Sequence, residues 1–216
     1  MTAANALHLQ AVRIALHGRV LIEPLHASIE PGECLTLMGP SGCGKSTLLN
    51  FLAGMLDPVF EASGQVLIGS AAVTALPPER RRFGILFQDD LLFPHLSVGG
   101  NLAFALPADL RPRALRRGRI AAALAEAGLS GFEDRDPATL SGGQRARVAL
   151  MRTLLAAPRA LLLDEPFNKL DAQLRDDFRD FVFAHARAFG LPTLMVTHDE
   201  ADARAAGGRI LQLGSG

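Results

Sequence analysis

The residues best suited to chemistry begin with Gly39-Pro40-Ser41-Gly42-Cys43-Gly44-Lys45-Ser46-Thr47, which carries the spacing G-x-x-x-x-G-K-[ST]. An apolar run, Leu35-Thr36-Leu37-Met38, precedes it and reads as a buried strand, while Leu48 to Ala53 reads as a helix after it. Strand, glycine-rich loop and helix together make a phosphate site. The glycines let the backbone curl with its N–H groups pointing inward, and the helix adds its positive N-terminal end. Such a nest of donors stabilises the charge of a nucleoside triphosphate with few side chains. Lys45 reaches the β- and γ-phosphates, Ser46 offers its hydroxyl to Mg²⁺, and Thr47 is a lesser candidate for a phosphate contact.

Two further stretches offer matching chemistry. In Leu140-Ser141-Gly142-Gly143-Gln144, Ser141 is a good helix N-cap and the two glycines leave backbone N–H groups unobstructed, which makes a second anion site. Val148, Met151 and Leu155 follow at helical spacing. The apolar run Ala160-Leu161-Leu162-Leu163 then ends in two carboxylates, Asp164 and Glu165. Asp164 is placed to hold a magnesium-bound water shell, and Glu165 to act as general base on an attacking water.

The elements that must position these groups follow from the pattern of the chain. Leu7 to Ala15, Val20 to Ile22, Ala27 to Glu30 and Gly64 to Gly69 read as strands of a small antiparallel sheet beside the phosphate loop. Gly84 to Phe87 is a compact apolar strand running into Gln88, a polar residue where doubly wound sheets place ligands. Between Asp89 and Ala157 the pattern turns mostly helical, with helices at Asn101 to Leu106 and Arg119 to Ala127, the latter closed by Gly128. A helix is predicted from Gln173 to about Phe189, on which His185 reads as a helix-face residue. The apolar strand Thr193 to Thr197 ends at His198-Asp199-Glu200, and Ile210 to Leu213 forms a short last strand.

The fold class expected is α/β: a P-loop NTPase core with a mostly parallel sheet, a small N-terminal antiparallel β-subdomain and an inserted helical subdomain. The 216 residues read as a single domain, with 1–88 and 158–216 as core and 89–157 as the helical part. Twenty-two basic residues balance 22 acidic ones, so overall charge gives no reason to expect nucleic acid. The clusters Arg80-Arg81-Arg82 and Arg111 to Arg119 read as solvated faces. Two cysteines make no disulfide framework, which points to a reducing compartment, and Cys43 reads as a small loop residue. Residues 1–10 lack the features of a signal peptide, and no apolar run is long enough to span a bilayer.

Taken together, these motifs resemble those of the ATP-binding cassette ATPases, the motor subunits of ABC transporters. The resemblance runs from about Leu7 to Leu213 and covers six features in order: the phosphate loop, the Q-loop glutamine Gln88, the signature motif 140–144, the Walker B strand 161–165, the D-loop at Asp171 and the switch histidine His198. It implies binding and hydrolysis of ATP with Mg²⁺, the ion being held by Ser46, Gln88 and Asp164. It also implies a head-to-tail homodimer, in which Ser141, Gly142, Gly143 and Gln144 of one copy face the phosphate loop of the other across ATP. Asp171 would line that composite site. Glu165 would polarise the water, His198 would stand near the γ-phosphate and Gln88 would sense Mg²⁺ and water, with Lys45 completing the catalytic set.

The segment from Phe87 to Val98 is similar to that of bacterial importers of thiamine, iron, polyamines or molybdate. That implies integral membrane permease subunits, an extracytoplasmic solute-binding protein and a place on the cytoplasmic side of the plasma membrane. In such importers the segment helps form the groove for a permease coupling helix, a role that the apolar 91–96 stretch fits. Alternatives are the ATPase of an exporter or lipoprotein-release system, and a soluble cassette ATPase acting in DNA repair or on ribosomes. A small-molecule kinase would leave Leu140 to Gln144 unexplained. Three departures from the family pattern stand out. Leu16, beside His17, occupies the place of the usual adenine-stacking aromatic; Asn168 stands where the D-loop usually has serine; and the chain stops soon after His198, without the extra regulatory domain of many importer ATPases.

Overall fold

The computed structural model describes residues 5–214. The chain opens with β1 (Leu7–Leu16), β2 (Arg19–Ile29) and β3 (Cys34–Met38), followed by α1 (Lys45–Ala53), β4 (Phe60–Ile68), β5 (Ala71–Ala72), α2 (Pro78–Arg81) and β6 (Phe83–Leu86). Then come α3 (Val98–Ala105), α4 (Arg113–Glu126) and α5 (Gly142–Leu155), and after them β7 (Ala160–Asp164), α6 (Ala172–Ala188), β8 (Thr193–Val196), α7 (Glu200–Ala206) and β9 (Ile210–Gln212).

Two sheets result. The antiparallel sheet has the order β2-β1-β4-β5, and the five-stranded sheet the order β6-β7-β8-β3-β9. In the latter, β3 pairs in parallel with β8 and β9, and β7 with β8. The strands β3, β7 and β8 are almost wholly apolar because a parallel sheet covered on both faces has no wet side. The sequence suggested two short strands, Val20 to Ile22 and Ala27 to Glu30. They are one strand, β2, which runs through Pro24. As the edge strand of its sheet, β2 can accept a residue with no N–H to donate. β1 and β2 join through His17-Gly18, whose φ angles of 48° and 79° are those of a tight hairpin turn.

The chain divides into two compact units: one made of the chain up to Ile85, Arg159–Glu165 and Arg179 onward, the other of Leu86–Pro158 and Pro166–Phe178. The first unit is organised around an apolar cluster in which Leu48 and Leu52 of α1 meet Leu35, Leu37, Leu162, Leu194 and Val196 of the parallel strands and Leu9, Ile14 and Val66 of the antiparallel sheet. Leu48 and Leu52 are fully buried, each contributing roughly 2 kcal/mol of transfer free energy. This packing fixes the axis of α1 and therefore the direction in which its N-terminus points.

One cluster read as a solvated face is not one throughout. Arg81 is 6% exposed. Its Nη1 donates to the carbonyls of Phe51 and Leu52 at 2.7 Å each, its Nε to Leu76 O at 2.8 Å, and its Nη2 to Thr74 O. The guanidinium thus ties the last turn of α1, whose Phe51 carbonyl also accepts from Gly54 N at 3.1 Å, to the chain at Thr74 and Leu76, at a helix end where the dipole favours a cation. Arg80 and Arg82 are exposed. In the second unit, α3 packs on α4 and α5 around buried Val98, Leu102, Leu124, Val148 and Met151.

Candidate active site

In the first unit, β3 delivers the chain into the loop 39–44, and α1 starts at Lys45. Gly42 and Gly44 have φ of 80° and 95°, values that an L side chain resists, and a Cβ on Gly44 would lie 3.2 Å from Leu21 and Ile22. Gly44 caps α1 without a side-chain hydrogen bond. Gly44 therefore brings no side chain to compete with an incoming anion for the N–H groups of the first turn. The Lys45 ammonium folds back over the loop and donates to Gly39 O at 2.7 Å and Pro40 O at 2.9 Å. These contacts hold a mostly buried cation inside the curl of the loop, within reach of any phosphate seated there.

Ser46 Oγ donates to Asp164 Oδ1 at 3.0 Å. The pair joins the first turn of α1 to the C-terminal end of β7 and sets two hard oxygens side by side. That is the donor set Mg²⁺ takes from proteins, with phosphate oxygens and waters completing its shell. Burial pushes the Asp164 carboxyl above the ordinary aspartate range, and the adjacent Glu165 charge adds to the rise. The Ser46 hydrogen bond and the Lys45 charge pull in the other direction.

Glu165 follows directly. Its φ of 46° is unusual for a residue with a side chain. Its N–H donates to Val196 O at 3.0 Å, which ties the turn after β7 to the end of β8. His198 Nδ1 lies 3.2 Å from Glu165 Oε1, and since a carboxylate accepts, the imidazole donates. The first unit therefore assembles Lys45, Ser46, Asp164, Glu165 and His198 from two strand ends and one helix start.

Gln88, Ser141, Gly142, Gly143, Gln144 and Asp171 belong to the second unit. Ser141 caps α5 in a reciprocal box: its Oγ accepts from Gln144 N at 3.3 Å, and Gln144 Oε1 accepts from Ser141 N at 3.0 Å. The box covers the N–H groups of Ser141 and Gln144 but not those of Gly142 and Gly143. The Ser141 hydroxyl, while accepting, keeps its own proton to donate. Asp171 Oδ1 accepts from Leu174 N at 3.0 Å, at the start of α6.

The segment after Gln88 is held firmly within this unit. Arg145 Nε donates to Asp90 Oδ2 at 3.1 Å, and Arg152 donates to Leu91 O at 2.8 Å and Asp90 O at 3.1 Å. Asp89 pairs with Lys169. Buried Asn101 accepts from Phe93 N at 2.8 Å and donates back to Phe93 O at 3.1 Å. None of these braces stood out in the sequence, because an arginine or asparagine gives no sign of a carbonyl partner eight to 62 positions away. The same holds for the buried pair Arg179–Asp202 in the first unit. In the hairpin turn, His17 is exposed and Leu16 half-buried.

Comparison with known proteins agrees with this geometry. The ABC transporter family pattern matches residues 22–168. An ABC transporter ATP-binding protein of Escherichia coli (strain K12), YnjD, itself named as uncharacterized, is 51% identical over 185 residues, 86% of this chain and 85% of that one. The putative 2-aminoethylphosphonate import ATP-binding protein PhnT of Salmonella paratyphi A is 45% identical over 196 residues, 90% of this chain and 52% of its own length. The Fe(3+) ions import ATP-binding protein FbpC of Escherichia coli (strain K12) is 39% identical over 216 residues, 100% of this chain and 61% of its own. This chain thus spans between half and two thirds of the length of those two import proteins. Among the described residues no helix is long and apolar enough to cross a membrane. With the phosphate loop, the carboxylate pair and the capped glycine helix in place, the chain belongs to the ABC transporter family, as one of its ATP-binding ATPases.

Proposed function

We propose that this chain is the motor subunit of a solute importer, hydrolysing Mg²⁺-ATP as a head-to-tail homodimer. It would work at the cytoplasmic side of the plasma membrane, bound to integral membrane permease subunits that receive solute from an extracytoplasmic binding protein. The observation that carries the reading is the convergence of Lys45, Ser46, Asp164, Glu165 and His198, with Ser46 to Asp164 at 3.0 Å and His198 to Glu165 at 3.2 Å.

The roles follow from the donor inventory. Residues 39–47 wrap the phosphates with backbone N–H groups, and Lys45 exchanges its carbonyl partners for β- and γ-phosphate oxygens. Ser46 and Asp164, with Gln88, hold Mg²⁺, which when bound neutralises charge on the β- and γ-phosphates. Glu165 accepts a proton from the attacking water. His198 donates from Nδ1 to Glu165 and keeps that carboxylate aimed. Ser141 and the N–H groups of Gly142 and Gly143 from the second copy hold the γ-phosphate from the opposite side, with Gln144 and Asp171 beside them. Charge spread over the γ-phosphate oxygens in the transition state rewards donors on both faces.

Import is supported by the names of the relatives PhnT and FbpC. It is supported also by the apolar surface around the braced segment: Leu91 is 56% exposed, and Phe104, 70% exposed, meets Phe93 edge to face at 4.8 Å. An unburied apolar patch of this kind suits a permease helix. The test is affinity purification of the tagged chain from its native membranes, with ATPase assay of what is recovered. The reading expects an integral membrane protein and Mg²⁺-dependent ATP hydrolysis; recovery on ribosomes or DNA would overturn it.

A further inference from the structure

His198 presents a problem of aim. Its side chain is 58% exposed, so packing does little to hold the ring, yet Nδ1 sits 3.2 Å from Glu165. Its direction must come from the backbone on either side. Thr197, the preceding residue, is fully buried, and its N–H donates to Leu37 O at 3.2 Å. Thr197 Oγ1 accepts from Asp199 N at 3.0 Å, so one hydroxyl closes the turn around His198. That hydroxyl can give its proton to Asp202 Oδ2, 3.4 Å away.

Asp202 is fully buried in α7, and its other carboxylate oxygen accepts from Arg179 Nη1 of α6 at 3.0 Å. Asp199 Oδ1 caps α7 by accepting from Ala201 N at 2.7 Å and Asp202 N at 3.4 Å. A buried ion pair is a poor source of net stability, since removing two charges from water costs about as much as their attraction returns. Its expense is better explained by what it fixes.

We infer that Arg179, Asp202 and Thr197 are positioning residues that set the aim of His198 on Glu165, so that the buried ion pair tunes turnover and leaves nucleotide binding alone. The inference rests on the ATPase reading above. Arg179 orients the Asp202 carboxylate, which fixes the rotamer of the Thr197 hydroxyl. The hydroxyl in turn holds Asp199 N and thereby the peptide plane that follows His198.

The test compares Thr197→Val, which keeps the shape and loses the hydroxyl, with Thr197→Ser, which keeps the hydroxyl. Thr197→Val is expected to lower kcat roughly ten- to a hundredfold, as small misplacements of catalytic groups do. KM and ATP affinity should stay within about twofold, and Thr197→Ser should restore most of the rate. Adding His198→Ala to Thr197→Val should cost little more, because coupled residues are not additive. The paired change Arg179→Met with Asp202→Leu, which replaces the ion pair by apolar groups, should reproduce the loss without lowering the melting temperature.

The ring nitrogen resonances of His198 give a readout independent of turnover. They should respond to Glu165→Gln in the native chain and in Thr197→Ser, but not in Thr197→Val. Native kcat in Thr197→Val, or an undiminished response of those resonances, would overturn the inference. Native protein without ATPase activity would instead count against the ATPase reading, and the resonances would still decide the aim of His198.

Discussion

Ser46 Oγ and Asp164 Oδ1 lie 3.0 Å apart although 118 positions separate them in the chain. The first turn of α1 and the end of β7 therefore present their oxygens as one surface. Because Mg²⁺ takes few ligands from protein and the rest from phosphate and water, either oxygen would be a large share of the proposed hold on it. Asp164→Asn and Ser46→Ala should each remove the Mg²⁺-dependent gain in ATP affinity, by roughly tenfold or more. Titration calorimetry with and without Mg²⁺ reads this, and an undiminished gain in both variants would remove the pair from the metal role.

Glu165 sits past the strand end in a left-handed conformation with His198 as its partner. Glu165→Gln keeps the shape and removes the proposed base. ATP should bind as before while turnover falls by roughly 10²–10⁴-fold, the usual worth of a general base. Single-turnover assays beside nucleotide binding check this. Normal hydrolysis in the variant would mean that another group takes the proton.

Arg81 donates to four carbonyls, those of Phe51 and Leu52 at the C-terminal end of α1 and those of Thr74 and Leu76 in the turn before α2. Arg81→Met retains the aliphatic stem but takes the guanidinium donors from those carbonyls, of which Phe51 O keeps Gly54 N. The expected loss is about 2–3 kcal/mol, since hydrogen bonds to charged groups count most when a buried partner is left open. Urea unfolding should show a lower midpoint with an unchanged m value.

The two cysteines should differ in reactivity. Burial pushes the Cys34 thiol up to about 12, so almost no thiolate exists at neutral pH. Cys43, in the phosphate loop, is half-buried. At pH 8, iodoacetamide should label Cys43 and leave Cys34 untouched in native protein, as peptide mass mapping would show. Labelling of Cys34 should appear only on unfolding.

The sequence displayed the phosphate loop because a nest for anions requires Gly42, Gly44 and Lys45 at fixed spacing, and it displayed Asp164-Glu165 because they end an unbroken apolar strand. Ser141 was legible as a cap since the box with Gln144 is local. What stayed hidden depends on distance along the chain. Arg81 sits in a run of three arginines that looks solvated, and only α1 folding back turns it inward. The helix Glu200–Ala206 was missed because Asp199-Glu200-Ala201-Asp202 resembles a polar loop, until Arg179 supplies the partner that lets Asp202 be buried. Likewise, β2 was split in two by Pro24, which only its edge position makes harmless.

The central claim is that the N-terminus of α5 in one copy completes the phosphate loop of another, and proximity under turnover conditions tests it most directly. Cys43 already supplies a thiol in the loop, and Ser141→Cys supplies its counterpart, in a Glu165→Gln background that retains ATP. A disulfide needs Cα atoms within about 7 Å, so its formation reports close approach. The account predicts an inter-chain disulfide between Cys43 and position 141 that forms with Mg²⁺-ATP and fails without nucleotide. No covalent dimer, or one formed equally well without ATP, would contradict it.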